Sequence, residues 1–143
     1  SSMQIPIKSI RVSVGMPATP TPEGTFTITR AGRWQELMGP SWGQYGTHVV
    51  NGIFVHSVAC GQANSYNLPV GEYLRLGNPA SHGCIRACVA DAKWVWDNCN
   101  GSKIHIFDGT YTSNEALKGP LGRKALTPLR GSKNFDPTDP ACK

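Results

Sequence analysis

Asn51-Gly52 joins two short apolar runs, an arrangement typical of a β-hairpin. The runs are His48–Val50 and Ile53–Ser57, and Asn-Gly readily adopts the positive φ values of a tight two-residue turn. Gly24–Arg30 alternates apolar with polar residues and is rich in β-branched side chains, which predicts a further strand. We therefore predict a fold of short β-strands, with His56 near the end of a central one.

The rest of the chain predicts few other regular elements. Ser9–Gly15 alternates in the same way and Lys103–Phe107 is apolar enough to close a sheet, so both are predicted strands. Tyr73–Leu76 predicts a short strand, and Gly32–Gly46 is interpreted as a loop of aromatic residues among glycines. From residue 108 onward no periodicity persists, which predicts an irregular extension.

The composition fits a single domain. The chain has 143 residues, with 16 glycines, 11 prolines and only 16% charged residues, which favours strands and turns over a helical bundle. The net charge of +5 comes from scattered basic residues, so we expect no nucleic-acid partner. No apolar stretch is long enough to span a membrane.

Residues 81–86 read Ser-His-Gly-Cys-Ile-Arg and suit a thiolate nucleophile. A free thiol is only a few per cent ionised at neutral pH and needs a base. Val89–Asn98 carries one apolar stripe and is the predicted helix. Because it follows Cys84 closely, backbone N–H groups and a helix-dipole field are expected near the sulfur. Gly83 would let a substrate carbonyl approach the backbone.

Two histidines are candidates for the base that deprotonates Cys84. His82 is nearest in sequence, but a tight turn between the two residues leaves its direction undefined. His56 ends another strand, from which its imidazole can aim across at the sulfur. We therefore favour His56, and interpret His48 and His105 as structural.

Metal binding is an alternative interpretation of the same residues. Zinc would take His56, His82, Cys84 and Cys88. Structural zinc ligands usually come as close pairs such as Cys-x2-Cys, and the chain has none. We therefore expect no metal and no other cofactor.

The five cysteines form an odd set, in which one nucleophile and up to two disulfides would account for all. If Cys88 and Cys99 share the predicted helix, their Cα atoms lie roughly 16 Å apart, beyond the roughly 4.4–6.8 Å of a disulfide. Any bridge must then involve Cys60 or Cys142. Free buried thiols are the open alternative.

These residues resemble the L,D-transpeptidase (YkuD) family of peptidoglycan enzymes. That family has a histidine on a strand, a spacer, and then Ser/Thr-His-Gly-Cys, an apolar residue and Arg or Asn, a pattern that residues 81–86 match throughout. Phe54–Ser57 resembles the base-bearing strand, and Asp91–Trp94 the following helix. Val12–Gly15 and Thr21–Ile28 resemble the family's opening strand–loop–strand.

The resemblance spans residues 9–107 and implies a mainly β fold. This is a two-sheet β-sandwich with a cleft under a mobile loop and one helix after the cysteine. Residues 1–107 are then the catalytic domain, with a truncated N-terminal edge, and residues 108–143 an extension packed on or near it. The spacer from His56 to Ser81 is longer than the commonest family form, so the loop over the cleft must differ.

The resemblance also implies the chemistry. Cys84 would attack the carbonyl between the diamino acid and D-Ala of a stem tetrapeptide, and an amine of a neighbouring stem would resolve the thioester as a 3→3 crosslink. His56 would take the thiol proton, oriented by the Ser57 carbonyl. The Gly83 and Cys84 N–H groups would form the oxyanion hole. Residues expected to shape or bind the substrate are Ser81, His82, Arg86 and Phe54.

Arg86 has two interpretations of equal weight. It would hold a substrate carboxylate, or it would pair with a structural acid such as Asp91. The sequence does not separate them.

Alternative functions remain open at this point. An L,D-carboxypeptidase would use water in the same site. A sortase-like transpeptidase also orders His, Cys and Arg on a β-fold, but it lacks Ser-His-Gly-Cys. A wall-binding module would leave Cys84 inert. Under the favoured interpretation the partners are peptidoglycan stem peptides. The protein is expected to be a monomer at the extracellular face of a bacterial cell, in the wall or periplasm.

Overall fold

Short strands dominate the molecule. The computed structural model describes residue 8, residues 10–108 and residues 135–142. Over these ranges the chain forms eight strands and two helices, which confirms the predicted mainly β fold. In chain order the elements are β1 (Gly24–Thr27), β2 (Thr29–Arg30), β3 (Trp34–Leu37), β4 (Ser41–Gln44), β5 (Thr47–Val50), β6 (Ile53–Ser57), α1 (Val70–Leu74), β7 (Ile85–Ala87), α2 (Val89–Asn98) and β8 (Lys103–Ile106).

The strands form a central four-stranded sheet and two antiparallel pairs. The central sheet has the order β2-β5-β6-β7, and the pairs are β1–β8 and β3–β4. β5 and β6 are the predicted hairpin, whose turn residue Asn51 has a φ of 50°. β7 runs parallel to β6, so a long crossover must connect them. The central position predicted for the strand of His56 is confirmed.

The apolar core lies on one face of this central sheet. Val55 on β6 and Ile85 on β7 are paired in register and pack with Ile28 and Val49. Apolar side chains from β1, β8 and α2 cover this face. The opposite face of β6 and β7 is therefore available for a cleft.

The crossover between β6 and β7 carries the helix α1 and its own apolar cluster. Tyr73 and Leu76 are 1% and 4% exposed within this cluster. They lie three residues apart and face the same way, which is a helical rather than an extended spacing. The strand predicted over residues 73–76 is therefore wrong, because this segment is the end of α1 and the turn after it.

Two further predictions of local structure are corrected. The predicted loop Gly32–Gly46 contains the hairpin of β3 and β4, which pair from Trp34 with Gln44 to Leu37 with Ser41. The single strand predicted over Gly24–Arg30 is divided between two sheets, since β1 pairs with β8 and β2 with β5. The division of Gly24–Arg30 does not follow from alternation, because it depends on which distant strand lies alongside each half.

The N-terminal segment lies beside β7. Ser13 exchanges two backbone hydrogen bonds of 2.8 Å with Arg86, and Gly15 bridges to Ser81. These are isolated bridges rather than the full strand predicted over residues 9–15, of which Ser9 lies outside the described residues.

The predicted helix and closing strand are confirmed as α2 and β8. Of the predicted extension, residues 109–134 and 143 lie outside the described residues. Residues 135–142 contact α2 and β4, through Asp136 and Asp139.

All five cysteines lie in the described ranges, and all are free thiols. Cys88 and Cys99 lie at opposite ends of α2, so the helix separates them as expected. Of the two alternatives, the structure shows free thiols, and Cys60, Cys88 and Cys142 are buried. In the described part of the chain, no helix is long and apolar enough to cross a membrane.

Candidate active site

The register of β6 and β7 brings the predicted site residues to one face. His56 pairs with Arg86, one position along from the core pair Val55 and Ile85. Because successive side chains alternate, His56 and Arg86 face away from the core. Cys84 lies two residues before Arg86, so it falls on the same side.

These residues line a cleft of about 480 Å³. One wall comes from the β3–β4 hairpin and another from the turn that follows β5. Its lining residues are Glu36, Leu37, Met38, Ser41, Gly52, Ile53, Phe54, His56, Ala59, Ser81, His82, Cys84 and Arg86. The segment predicted to be the loop Gly32–Gly46 therefore contributes a hairpin wall to the cleft.

The Cys84 sulfur is held by the hairpin turn between β5 and β6. The Phe54 N–H donates to Sγ at 3.5 Å, and Sγ–H donates to the Gly52 carbonyl at 3.7 Å. Burial raises the pKa of the Cys84 thiol, while the Phe54 N–H and the positive charge of Arg86 oppose that rise. The resting group is therefore a thiol that needs a base.

His56 is a buried imidazole with one nitrogen fixed. Nδ1 is hydrogen bonded to the Ser57 carbonyl oxygen, which can only accept, so Nδ1 carries the proton and the Nε2 lone pair is free. Burial lowers the pKa of His56 to about 4; the bond to Ser57 opposes this and the charge of Arg86 adds to it. The ring is therefore neutral at pH 7 and able to accept a proton at Nε2.

β4 packs directly on that imidazole. A Cβ atom at Gly43 would lie 2.7 Å from His56 Nδ1 and 2.9 Å from Cγ, so a side chain there has no room. The next residue, Gln44, donates its backbone N–H to Ser57 Oγ at 2.8 Å. Sequence reasoning missed both residues, because this segment shows no alternating apolar pattern.

The turn before Cys84 requires glycine and is closed by hydrogen bonds. Gly83 has a φ of +129°, and a Cβ atom there would lie 2.8 Å from Ile53 Cδ1. Ser81 Oγ donates to the Cys84 carbonyl at 2.5 Å and accepts from the Gly83 N–H at 3.2 Å. Thr21, which the sequence did not single out, donates to the Gly83 carbonyl at 2.8 Å. Ser81 thus shapes this turn, and its hydroxyl already bonds within it.

The helix-dipole field expected at Cys84 is not found there. β7 separates the cysteine from α2, and the first helical N–H groups have other partners. Val89 N–H donates to Asp136 Oδ2 at 2.8 Å, and Ala90 N–H to Thr138 Oγ1 at 3.0 Å. That expectation is wrong, because three strand residues at about 3.3 Å each lie between the sulfur and the helix.

Arg86 pairs with an acid that sequence reasoning did not name. Its Nη1 lies 2.8 Å from Glu72 Oε2 on α1, whereas Asp91 lies 3.4 Å from Lys8. The suggested pairing with Asp91 is therefore wrong. Among the described residues, the buried Arg86 Nε has no hydrogen-bond partner, so one donor of the guanidinium is unsatisfied.

The two remaining predicted substrate residues line the cleft near its surface. His82 is exposed, and Phe54 packs edge-on against His48, with ring centroids 5.3 Å apart. Within the described ranges, no group of three or more His, Cys, Asp or Glu side chains is arranged to hold a metal ion.

Known proteins are similar to this chain in sequence and in fold. The YkuD L,D-transpeptidase catalytic domain matches residues 3–119. A protein of Bacillus subtilis (strain 168) named "Putative L,D-transpeptidase YciB" is 33% identical over 104 residues, which are 64% of this chain and 50% of that protein.

Solved structures agree with this match. An L,D-transpeptidase from Mycobacterium tuberculosis H37Rv superposes with a TM-score of 0.55 at 24% identity, over 69% of this chain and 42% of that one. An LD transpeptidase in complex with imipenem gives 0.52 at 25% identity, over 71% and 49%. The chain thus spans about half the length of these relatives. With a family match over most of its length, the chain belongs to the YkuD family of L,D-transpeptidase catalytic domains.

Proposed function

We propose that this protein is a peptidoglycan L,D-transpeptidase with Cys84 as nucleophile and His56 as base. The observation that carries the proposal is the fixed tautomer of His56. Because its Nδ1 is bonded to the Ser57 carbonyl, Nε2 carries the basic lone pair, and His56 and Cys84 line the same cleft. Nucleophile, base and orienter are thus supplied by adjacent elements.

The first half-reaction forms a thioester. As Cys84 Sγ bonds to the donor carbonyl between the diamino acid and D-Ala, its proton moves to His56 Nε2. The C–N bond to D-Ala then breaks, and the departing amine takes that proton from Nε2. Since burial keeps both groups neutral at rest, the proton moves during the attack and no preformed ion pair is required.

The second half-reaction regenerates the thiol. The amine of a neighbouring stem attacks the thioester and loses a proton to His56 Nε2. The C–S bond then breaks, and the sulfur recovers the proton. A water molecule in place of the amine would give hydrolysis, which is carboxypeptidase activity.

Two further groups would stabilise the donor. The Gly83 and Cys84 N–H groups would bind the oxyanion, for which the Gly83 N–H would have to leave Ser81 Oγ, its present acceptor at 3.2 Å. Arg86, which lines the cleft, would bind a donor carboxylate. The substrate class would place the protein at the bacterial cell wall.

The test is incubation with a stem tetrapeptide, followed by mass spectrometry of the protein and products. We expect a thioester adduct on Cys84, release of D-Ala and a crosslinked dimer. D-Ala release without dimer would instead identify a carboxypeptidase. If neither tetrapeptide nor imipenem, the ligand of a related solved structure, forms an adduct on Cys84, the enzymatic proposal fails and a binding module remains.

A further inference from the structure

A buried carboxylate connects the C-terminal segment 135–142 to β4. Asp139 is 3% exposed. Its Oδ2 accepts a hydrogen bond from Gln44 Nε2 on β4 at 2.9 Å, and its Oδ1 accepts one from the Ala141 N–H at 2.9 Å. A buried carboxylate without such donors is costly, so these bonds fix the position of Gln44 relative to the segment.

Gln44 connects that carboxylate to the catalytic base. The side chain is held at both ends, since Oε1 accepts from Arg33 Nη1 at 2.8 Å while Nε2 donates to Asp139. The backbone N–H of Gln44 donates to Ser57 Oγ at 2.8 Å. Ser57 in turn provides the carbonyl that orients His56.

The contact also fixes how tightly β4 covers the imidazole. Gly43 precedes Gln44 and lies so close to His56 that no Cβ atom would fit. A small displacement of β4 would therefore open space beside the ring. It would let the ring tilt and water enter.

We propose that Asp139 is a positioning residue for the base: through Gln44 it holds β4 against His56 and Ser57, so that the imidazole keeps the orientation that the Ser57 carbonyl gives it. This inference rests on the proposed function of His56. It assigns a role in the reaction to a residue far from the motif in sequence.

The pH dependence of acylation can distinguish whether Asp139 acts by positioning β4 or by its negative charge. The titratable and charged groups that share the cleft with His56 are Glu36 on β3, His82 and Cys84 before β7, and Arg86 on β7. Asp139→Asn leaves all four unchanged. Loss of a nearby negative charge would lower the pKa of His56, whereas entry of water would raise it towards its ordinary value of about 6.5.

The experiment measures the second-order rate of acylation by imipenem with intact-protein mass spectrometry, across the acid limb of the pH profile. In Asp139→Asn only one acceptor oxygen remains for the two donors Gln44 Nε2 and Ala141 N–H, so one of them faces the new amide donor. We expect a rate on the order of tenfold lower and an acid limb shifted to higher pH. Gln44→Met, which severs the same contact without opposing two donors, should behave alike if Asp139→Asn does not fold.

A double variant provides a rescue. In Gln44→Glu with Asp139→Asn, the new amide at position 139 can donate to the new carboxylate at position 44, which still accepts from Arg33. Rate and acid limb should return towards wild type. Asp136→Asn is the matched control, because this buried acid of the same segment contacts α2 rather than β4. It should lower the melting temperature and leave the acid limb in place.

Failure of the positioning role and failure of the proposed function give different results. The positioning role is refuted if Asp139→Asn and Gln44→Met keep the wild-type acylation rate and acid limb. It is also refuted if both variants are acylated slowly, their acid limb is unshifted and the double variant does not restore the rate. If His56→Ala is acylated at the wild-type rate, the proposed function itself fails.

Discussion

The two ends of β7 carry two cysteines in opposite environments. Cys84 precedes the strand and faces the cleft, where the Phe54 N–H and Arg86 oppose the effect of burial on its pKa. Cys88 follows the strand, is 1% exposed, and donates its S–H to Asp91 at 3.1 Å. Burial and that bond raise the pKa of Cys88 to about 11.

The difference lies in the partners of each sulfur. At the cleft end the sulfur receives a backbone N–H and lies near a positive charge, both of which favour the thiolate. At the packed end it faces a carboxylate, which favours the thiol. Four positions along the chain therefore separate a candidate nucleophile from an inert core residue.

Removing each sulfur gives the largest expected contrast. Cys84→Ala should abolish the imipenem adduct, because no other described cysteine lines the cleft. Cys88→Ala should keep it. Intact mass spectrometry of both variants checks this, and an adduct that persists in Cys84→Ala would show that another residue is the nucleophile.

The histidines should show a similar contrast between a residue of the cleft and one outside it. His56→Gln should slow acylation by roughly 10²–10⁴-fold, the usual contribution of a positioned general base. His105→Gln is the matched control, because His105 lies on β8, outside the cleft. Stopped-flow or quenched mass spectrometry measures both rates. Equal rates for the two variants would exclude His56 as the base.

The elements that carry the cleft residues could be predicted where their determinants are local. Asn51-Gly52 defines the hairpin that carries His56, and residues 81–86 carry the glycine turn next to Cys84. The apolar stripe of α2 likewise repeats within one segment. In each case neighbours in sequence are also neighbours in space.

What the sequence did not reveal depends on distant partners. Gly43 is constrained only because the ring of His56 lies against it, and Glu72 matters only because α1 brings it to Arg86. The contact between Asp139 and Gln44 joins residues 95 positions apart. Such pairs have no periodicity to detect, since each is defined by the packing of separate elements.

Buried, neutral His56 should make stability depend on pH. Its pKa is about 4 in the folded protein and about 6.5 when unfolded, so the unfolded chain binds the proton more readily between these values. The contribution of neutral His56 to the free energy of unfolding is complete above pH 6.5 and is lost as pH falls towards 4. At about 1.4 kcal/mol per pKa unit, it amounts to about 3 kcal/mol.

Urea denaturation at several pH values measures this dependence. The free energy of unfolding of wild type should fall more steeply between pH 6.5 and 4 than that of His56→Gln, while His105→Gln should follow wild type. Identical slopes for wild type and His56→Gln would mean that the imidazole is not buried in its neutral form.

The close contact of β4 with the base predicts a smaller effect. Gly43→Ala places a methyl group 2.7 Å from His56 Nδ1, so β4 must move, and overpacking of this kind costs about 1–3 kcal/mol. Gly71→Ala is the control, because a Cβ atom there meets nothing within 4 Å and α1 favours alanine. Thermal melts should show destabilisation by the first substitution alone; equal melting temperatures would contradict this packing.

The smallest expected effect concerns the electrostatic field that Arg86 exerts on the Cys84 sulfur. Glu72 partly neutralises Arg86, 2.8 Å away, and the charge of Arg86 lowers the pKa of Cys84. In Glu72→Gln the field of Arg86 at the sulfur is less compensated, so the pKa of Cys84 should be less raised than in wild type. The pH dependence of iodoacetamide alkylation measures it, with exposed Glu23→Gln as control. A rise in that pKa would instead mean that Glu72 acts by holding Arg86 near the sulfur.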